Sequence, residues 1–200
     1  MSQQQSPAVN NKQKRIIILP GNGCTNVWKS NWYGWLANRL KEEGFTDVVL
    51  ENMPDPYTAR ESIWVPFVEQ LAKGAEDRIV LVGHSSGAEC AMRFAETHKL
   101  HGLVLVSACY TDLGIKNERE SGYYSRPWQW ETIRSNLSPA FGVVQFHSSD
   151  DPWIPMSEAT HVANHLCSER HFFDDKSHFF EPFEEIVTVL KIRLRSSLGL

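Results

Sequence analysis

The chain has 200 residues, 42% hydrophobic and 22% charged, with a formal net charge of -4. This fits one globular domain with enough apolar residues for a proper core. It excludes a nucleic-acid footprint, because the longest basic stretch is the short Lys12–Arg15 run. No apolar run approaches the ~18 residues of a membrane span.

The first residues, "MSQQQSPAVNNKQ", are polar and lack the apolar core of a signal peptide. Residues 1–13 are expected to be a disordered tail, and residues 14–200 a single domain. Cys24, Cys90, Cys109 and Cys167 form no C-x-x-C pair and no regular framework. That usage favours a reducing compartment over secretion. The expected location is the cytoplasm, with the nucleus left open.

"RIIIL" (Arg15–Leu19) is apolar throughout, as a strand buried on both faces should be. It breaks at "PGNGC". Trp32, Trp35, Leu36 and Leu40 recur at helical spacing, predicting a helix over Asn31–Gly44 with Gly44 as its C-cap. "DVVLEN" reads as a second strand. "TARESIWVPFVEQLAKG" opens with the capping-box pattern Thr58-x-x-Glu61, and Pro66 is expected to kink or divide that helix.

"RIVLVG" is a third strand, leading through "HSSG" into the helix "AECAMRFAETH". "HGLVLVSA" is a fourth. A polar segment from Tyr110 to Tyr124 and the Trp-rich "RPWQWETIRSN" follow. "GVVQFHS" and "RHFFDD" supply a fifth and a weaker sixth strand, and "EPFEEIVTVLKIRLRS" a closing helix. This alternation predicts an α/β fold: a three-layer α/β/α sandwich around a mostly parallel sheet of about six strands. In such sheets the ligand site lies beyond the carboxyl ends of the strands.

The segments just after the strands therefore carry the functional reading. After strand three comes Gly83-His84-Ser85-Ser86-Gly87, a G-x-S-x-G. A serine on a sharp strand-to-helix turn is strained, and only small residues fit two positions away on either side. The turn lifts the Ser85 hydroxyl clear of the sheet. It also sets the Ser86 amide at a helix start, where an oxyanion is stabilised. After strand one, the amide of Asn22 is the candidate second oxyanion donor. A Walker phosphate loop is excluded, since no G-K-[ST] follows.

After strand five, "HSSDDPWIP" offers two acids. Asp151 is favoured by its D-x-x-[VI]-P spacing to Pro155, with Asp150 the competitor. After strand six comes His178. Ser85, Asp151 and His178 follow the chain order of an α/β-hydrolase triad. The imidazole takes the serine proton, and the carboxylate fixes its tautomer.

His161 and His165 lie four apart in "HVANH", but Val162 stands where a metalloprotease motif carries its glutamate. They are read as surface histidines, and no metal is expected. Cys24 and Cys109 lie near strand ends without an activating partner, which makes thiol chemistry a distant alternative. Trp128 and Trp130, in the insertion after strand four, are expected with Trp153 and His84 to shape an apolar substrate pocket.

The segments "GNG", "NMPDP", "GHSSGA", "NERESGY", "RPWQWE" and "HF" are similar to the retinoblastoma-binding protein 9 family of small serine hydrolases, in the α/β-hydrolase superfamily. The resemblance runs over nearly all of residues 14–195. It implies Ser85 as nucleophile, Asp151 rather than Asp150 as acid and His178 as base. It also implies a compact fold with minimal or no lid and no metal or organic cofactor.

Two features depart from that family. The stretch equivalent to its L-x-C-x-E motif is "LAKGAED" (Leu71–Asp77), and no L-x-C-x-E occurs in the chain. The hydrolase chemistry carries over; the retinoblastoma partner does not. His147 stands where family members tend to have glycine, a change not expected to affect the triad. The resulting expectation is a serine hydrolase that cleaves an ester or amide of a small hydrophobic or aromatic substrate. The alternative is a catalytically weak binding or scaffold protein on the same fold.

Overall fold

The computed structural model describes residues 13–196. Six strands form one sheet: β1 (Arg15–Leu19), β2 (Val48–Val49), β3 (Ile79–His84), β4 (Leu100–Val106), β5 (Leu137–Ser148) and β6 (Glu169–Phe173). Their order is β2-β1-β3-β4-β5-β6, and every adjacent pair is parallel. Seven helices connect and cover them: α1 (Tyr33–Glu42), α2 (Glu61–Ala72), α3 (Ser86–Ala95), α4 (Lys116–Ser121), α5 (Trp130–Ser135), α6 (Met156–Leu166) and α7 (Glu184–Ser196).

The period-2 alternation of strand side chains divides the core in two. Ile17, Leu19, Leu81, Leu103 and Leu105 face a layer built from α2, α3, α5 and α6. Ile16, Ile18, Val80, Val82, Val104, Val106 and Phe146 face α1 and α7. Both faces of β1, β3 and β4 are covered, which is why those strands read as unbroken apolar runs.

The chain leaves β1 toward β2 at one edge and then crosses back to β3. The direction of winding reverses between β1 and β3, and the crevice beyond their carboxyl ends is where this architecture binds ligands. The Gly21–Cys24 turn and Ser85 both emerge there.

Several local expectations are revised. Gln13 belongs to the fold: its side chain donates to the Gly44 carbonyl (2.9 Å) and accepts from the Thr46 hydroxyl (2.6 Å). The rest of the expected tail lies outside the described residues. The Thr58–Glu61 capping box does not form. Ala59 is left-handed (φ +55°), and the helix starts only after Arg60, whose amide is held by Asp55 Oδ2 at 3.1 Å. Pro66 does not divide α2, which runs through it. The segment read as merely polar contains α4. Among the described residues, no helix is long and apolar enough to cross a membrane.

Candidate active site

Ser85 occupies the one-residue joint between β3 and α3, with φ +51° and ψ -126°. This conformation is sterically disfavoured for any residue with a Cβ, at a cost of roughly 1–3 kcal/mol. The surroundings impose it. A Cβ on Gly83 would lie 2.3 Å from the Gly87 carbonyl oxygen, and one on Gly87 would lie 2.4 Å from the Leu19 carbonyl oxygen. Strand, elbow and helix can approach this closely only with glycine at both positions. The Ser85 amide is fixed by the Val106 carbonyl of β4 (2.9 Å). Ser86 begins α3, so its amide has no acceptor within the helix.

The loops after β5 and β6 bring together the candidate acid, Asp151, and the candidate base, His178. His178 Nδ1 lies 2.8 Å from Asp151 Oδ2, and both side chains are almost fully buried. Oδ1 of Asp151 accepts the amides of Trp153 and Ile154, each at 3.0 Å. Burial alone would raise the Asp151 pKa. The His178 hydrogen bond and charge, with the two amides, outweigh it and hold the carboxyl below its ordinary range.

Asp150 has another task. Its Oδ1 accepts from the Ser148 hydroxyl (2.5 Å) and the Ser177 amide (2.8 Å), so it ties the two loops together. His147 is closer to the site than expected. Its buried ring meets the Ile154 carbonyl through Nε2 (3.1 Å) and so supports the acid loop.

Ser85 and His178 line one cavity of about 400 Å³, together with Gly21, Asn22, His84 and Trp153. Leu113, Ile115, Ile154 and Phe180 add apolar surface. Trp153 and Phe180 pack against the His178 ring, with centroid separations of 4.6 and 5.6 Å.

Trp128 and Trp130 do not line this cavity, contrary to the sequence expectation. Trp128 stacks on the buried Arg93 guanidinium (3.7 Å) and donates from Nε1 to the Tyr110 carbonyl (2.9 Å). Trp130 stacks on Trp128 and packs against His161 and His165. A buried arginine draws both rings onto the flank of the fold. His161 and His165 stack on each other at 4.0 Å. Among the described residues, no group of three or more His, Cys, Asp and Glu side chains could hold a metal ion.

The sequence reading missed two cavity carboxyls. Glu89, in the first turns of α3, accepts the Cys109 amide (2.9 Å), and burial pushes its pKa well above the carboxylate range. Glu118, on α4, accepts from the Asn22 side-chain amide (3.2 Å), and burial also raises its pKa. The available signal was an acid two residues beyond the G-x-S-x-G. Glu118 lies in "NERESGY", where no local motif singles it out. Cys24 and Cys109 do reach the cavity, but burial raises both thiol pKa values, the opposite of an activated thiol.

Comparison with known proteins gives the family and the fold. A family model described as "Serine hydrolase" matches residues 16–190. The serine hydrolase RBBP9 of Rattus norvegicus is 45% identical over 185 residues, covering 92% of this chain and 97% of that protein. The crystal structure of the ydeN gene product from B. subtilis superposes with a TM-score of 0.81 at 22% identity, covering 92% of this chain and 100% of that one. The esterase RhEst1 from Rhodococcus sp. ECU1013 gives a TM-score of 0.62 at 15% identity, over 94% and 92% of the two chains. These two structures show the shared α/β-hydrolase fold. With the family model spanning the sheet from β1 to α7 and a close relative matched nearly end to end, this chain belongs to the serine hydrolase family.

Proposed function

We propose that the protein cleaves an ester or amide bond through an acyl-enzyme on Ser85. The observation that carries this reading is the buried His178–Asp151 pair at 2.8 Å in the same cavity as a serine on a strained elbow. In the substrate complex the Ser85 hydroxyl donates to His178 Nε2. Ser85 Oγ attacks the carbonyl carbon as His178 Nε2 takes its proton. The amides of Asn22 and Ser86 donate to the oxyanion. Collapse of the tetrahedral intermediate expels the alcohol or amine, which takes the proton from His178. Water then attacks the acyl group, its proton passes to His178, and Ser85 is regenerated with the acid released.

The lining favours a hydrophobic or aromatic group beside the carbonyl. Leu113, Ile115, Trp153, Ile154 and Phe180 provide the apolar contact. Among the described residues, the lining has no Lys or Arg to pair with a free carboxylate, and burial favours the neutral forms of Glu89 and Glu118, so the cavity suits an uncharged substituent. We assign a small-molecule or peptide-like substrate and no retinoblastoma partner, because L-x-C-x-E is missing. Four free cysteines suit a cytoplasmic location.

The test is turnover of a panel of aryl esters and aminoacyl amides by wild type and Ser85→Ala. Activity confined to wild type supports the reading; substantial turnover by a folded Ser85→Ala protein refutes it.

A further inference from the structure

The residue before the nucleophile is fully buried and hydrogen-bonded through both ring nitrogens. His84 Nε2 lies 2.9 Å from the backbone carbonyl of His178. A carbonyl only accepts, so Nε2 carries the proton. Burial, reinforced by the His178 charge, drives the His84 pKa down to about 3, so the ring is neutral and Nδ1 is an acceptor. The Tyr33 hydroxyl, 2.6 Å from Nδ1, must therefore donate to it. The oxygen of Tyr33 in turn accepts the Gly21 amide (2.9 Å) and the Asn31 side-chain amide (3.0 Å). The result is a chain with one direction: Gly21 N–H to Tyr33 O–H to His84, and His84 N–H to the His178 carbonyl.

The two ends of this chain are the two loops that flank Ser85. Gly21 precedes the candidate oxyanion donor Asn22. His178 sits between Ser177 and Phe179, both left-handed (φ +50° and +53°), a disfavoured path that persists only when the surroundings over-determine it. The fixing contacts are visible. Asp150 holds the Ser177 amide, and Trp32 Nε1 donates to the Phe179 carbonyl at 2.9 Å. Between them, the His178 carbonyl is held by His84. Trp32 and Tyr33 are adjacent, so the start of α1 holds the base loop directly through Trp32 and indirectly through Tyr33 and His84.

We propose that His84 and Tyr33 are positioning residues that lock the base loop and the oxyanion loop into register across Ser85. Tyr33 fixes the tautomer of His84, and His84 fixes the backbone from which the His178 imidazole projects. Neither residue touches the reacting atoms. Directed chains of this kind strengthen cooperatively, so removing either link weakens the hold that the other exerts on its loop. The inference rests on the assignment of Ser85 and His178 as nucleophile and base.

The test compares wild type, Tyr33→Phe, His84→Gln, His84→Leu and the Tyr33→Phe/His84→Leu double variant. The readouts are the rate of inactivation by a fluorophosphonate and the low-field proton NMR signal of His178 Nδ1–H. Expected results are a rate loss of roughly 10-fold or more for Tyr33→Phe and His84→Leu, partial rescue in His84→Gln, and a double variant no worse than the worse single. The NMR signal should broaden in the same variants. Unchanged rates in folded variants, or losses that multiply in the double variant, overturn the inference and leave the assignment of Ser85 intact. Nitrogen NMR of the wild type supplies a check that needs no variant: a His84 ring protonated on Nδ1 overturns it. Failure of wild type to react at all overturns the underlying assignment and the inference with it.

Discussion

Nδ1 of His178 meets Oδ2 of Asp151 at 2.8 Å, while the adjacent Asp150 turns away to hold the Ser177 amide. Two neighbouring carboxylates thus have separate duties. Asp151→Asn should lower kcat by roughly 10³–10⁴-fold, because the amide presents the wrong partner to the imidazole. Asp150→Asn should cost less than about tenfold, through looser loops rather than altered chemistry. Steady-state kinetics on one ester decides; equal losses would contradict the division.

The elbow makes a stability prediction. Gly83→Ala and Gly87→Ala each drive a methyl to within 2.3–2.4 Å of a backbone oxygen. Each should destabilise the fold by about 1–3 kcal/mol, the range of overpacked cores. Each should also slow labelling of Ser85 as the turn opens. Denaturant unfolding combined with labelling rates checks both effects.

Buried histidines set the acid limit of the fold. Burial lowers His84 to about 3 and His101 to about 4, and it lowers His147 as well. Unfolded histidine titrates near 6.5. Between about 6.5 and 4 the unfolded chain binds histidine protons that the folded chain refuses, so the histidine contribution to stability falls as pH drops through this window. It is opposed by Glu89 and Glu118, whose raised pKa values let the folded chain take up protons first. The slope is about 1.4 kcal/mol per pH unit for each proton taken up. Asp151 does not contribute there, because its lowered pKa keeps its stabilisation until stronger acid. Urea midpoints at pH 7 and pH 5 check the histidine part: His101→Gln should gain stability at pH 5 relative to pH 7 when compared with wild type.

The tryptophans separate pocket from scaffold. Trp153→Ala should raise KM for aromatic esters several-fold, since the ring is 56% exposed at the mouth of the cavity. Trp128→Ala should leave KM nearly unchanged but destabilise by roughly 2 kcal/mol or more, through loss of packing on Arg93. The reverse pattern would restore Trp128 to the pocket.

Much of the site was legible because it depends on local chemistry. G-x-S-x-G between an apolar strand and a helix announces a strained elbow from composition alone. Asp151 and His178 follow because loops after late parallel strands converge at one end of the sheet. The misreadings arose where tertiary contacts decide. Nothing near Trp128 in sequence reveals that Arg93, 35 positions earlier, is buried beneath it. Tyr33 looked like one more residue of an amphipathic helix, and only the fold brings it to His84. α4 is six residues long and polar, too short for a periodicity signal. The capping box lost to Asp55, which reaches the helix start from five residues upstream.

The most direct test of the central claim is the site of a covalent adduct. Wild type should be treated with a fluorophosphonate, digested and mapped by mass spectrometry, with His178→Ala alongside. The account predicts one adduct, on Ser85 in the wild type, and its near-complete loss in His178→Ala. An adduct on Cys24, Cys109 or another serine, or equal labelling of Ser85 without His178, would contradict it.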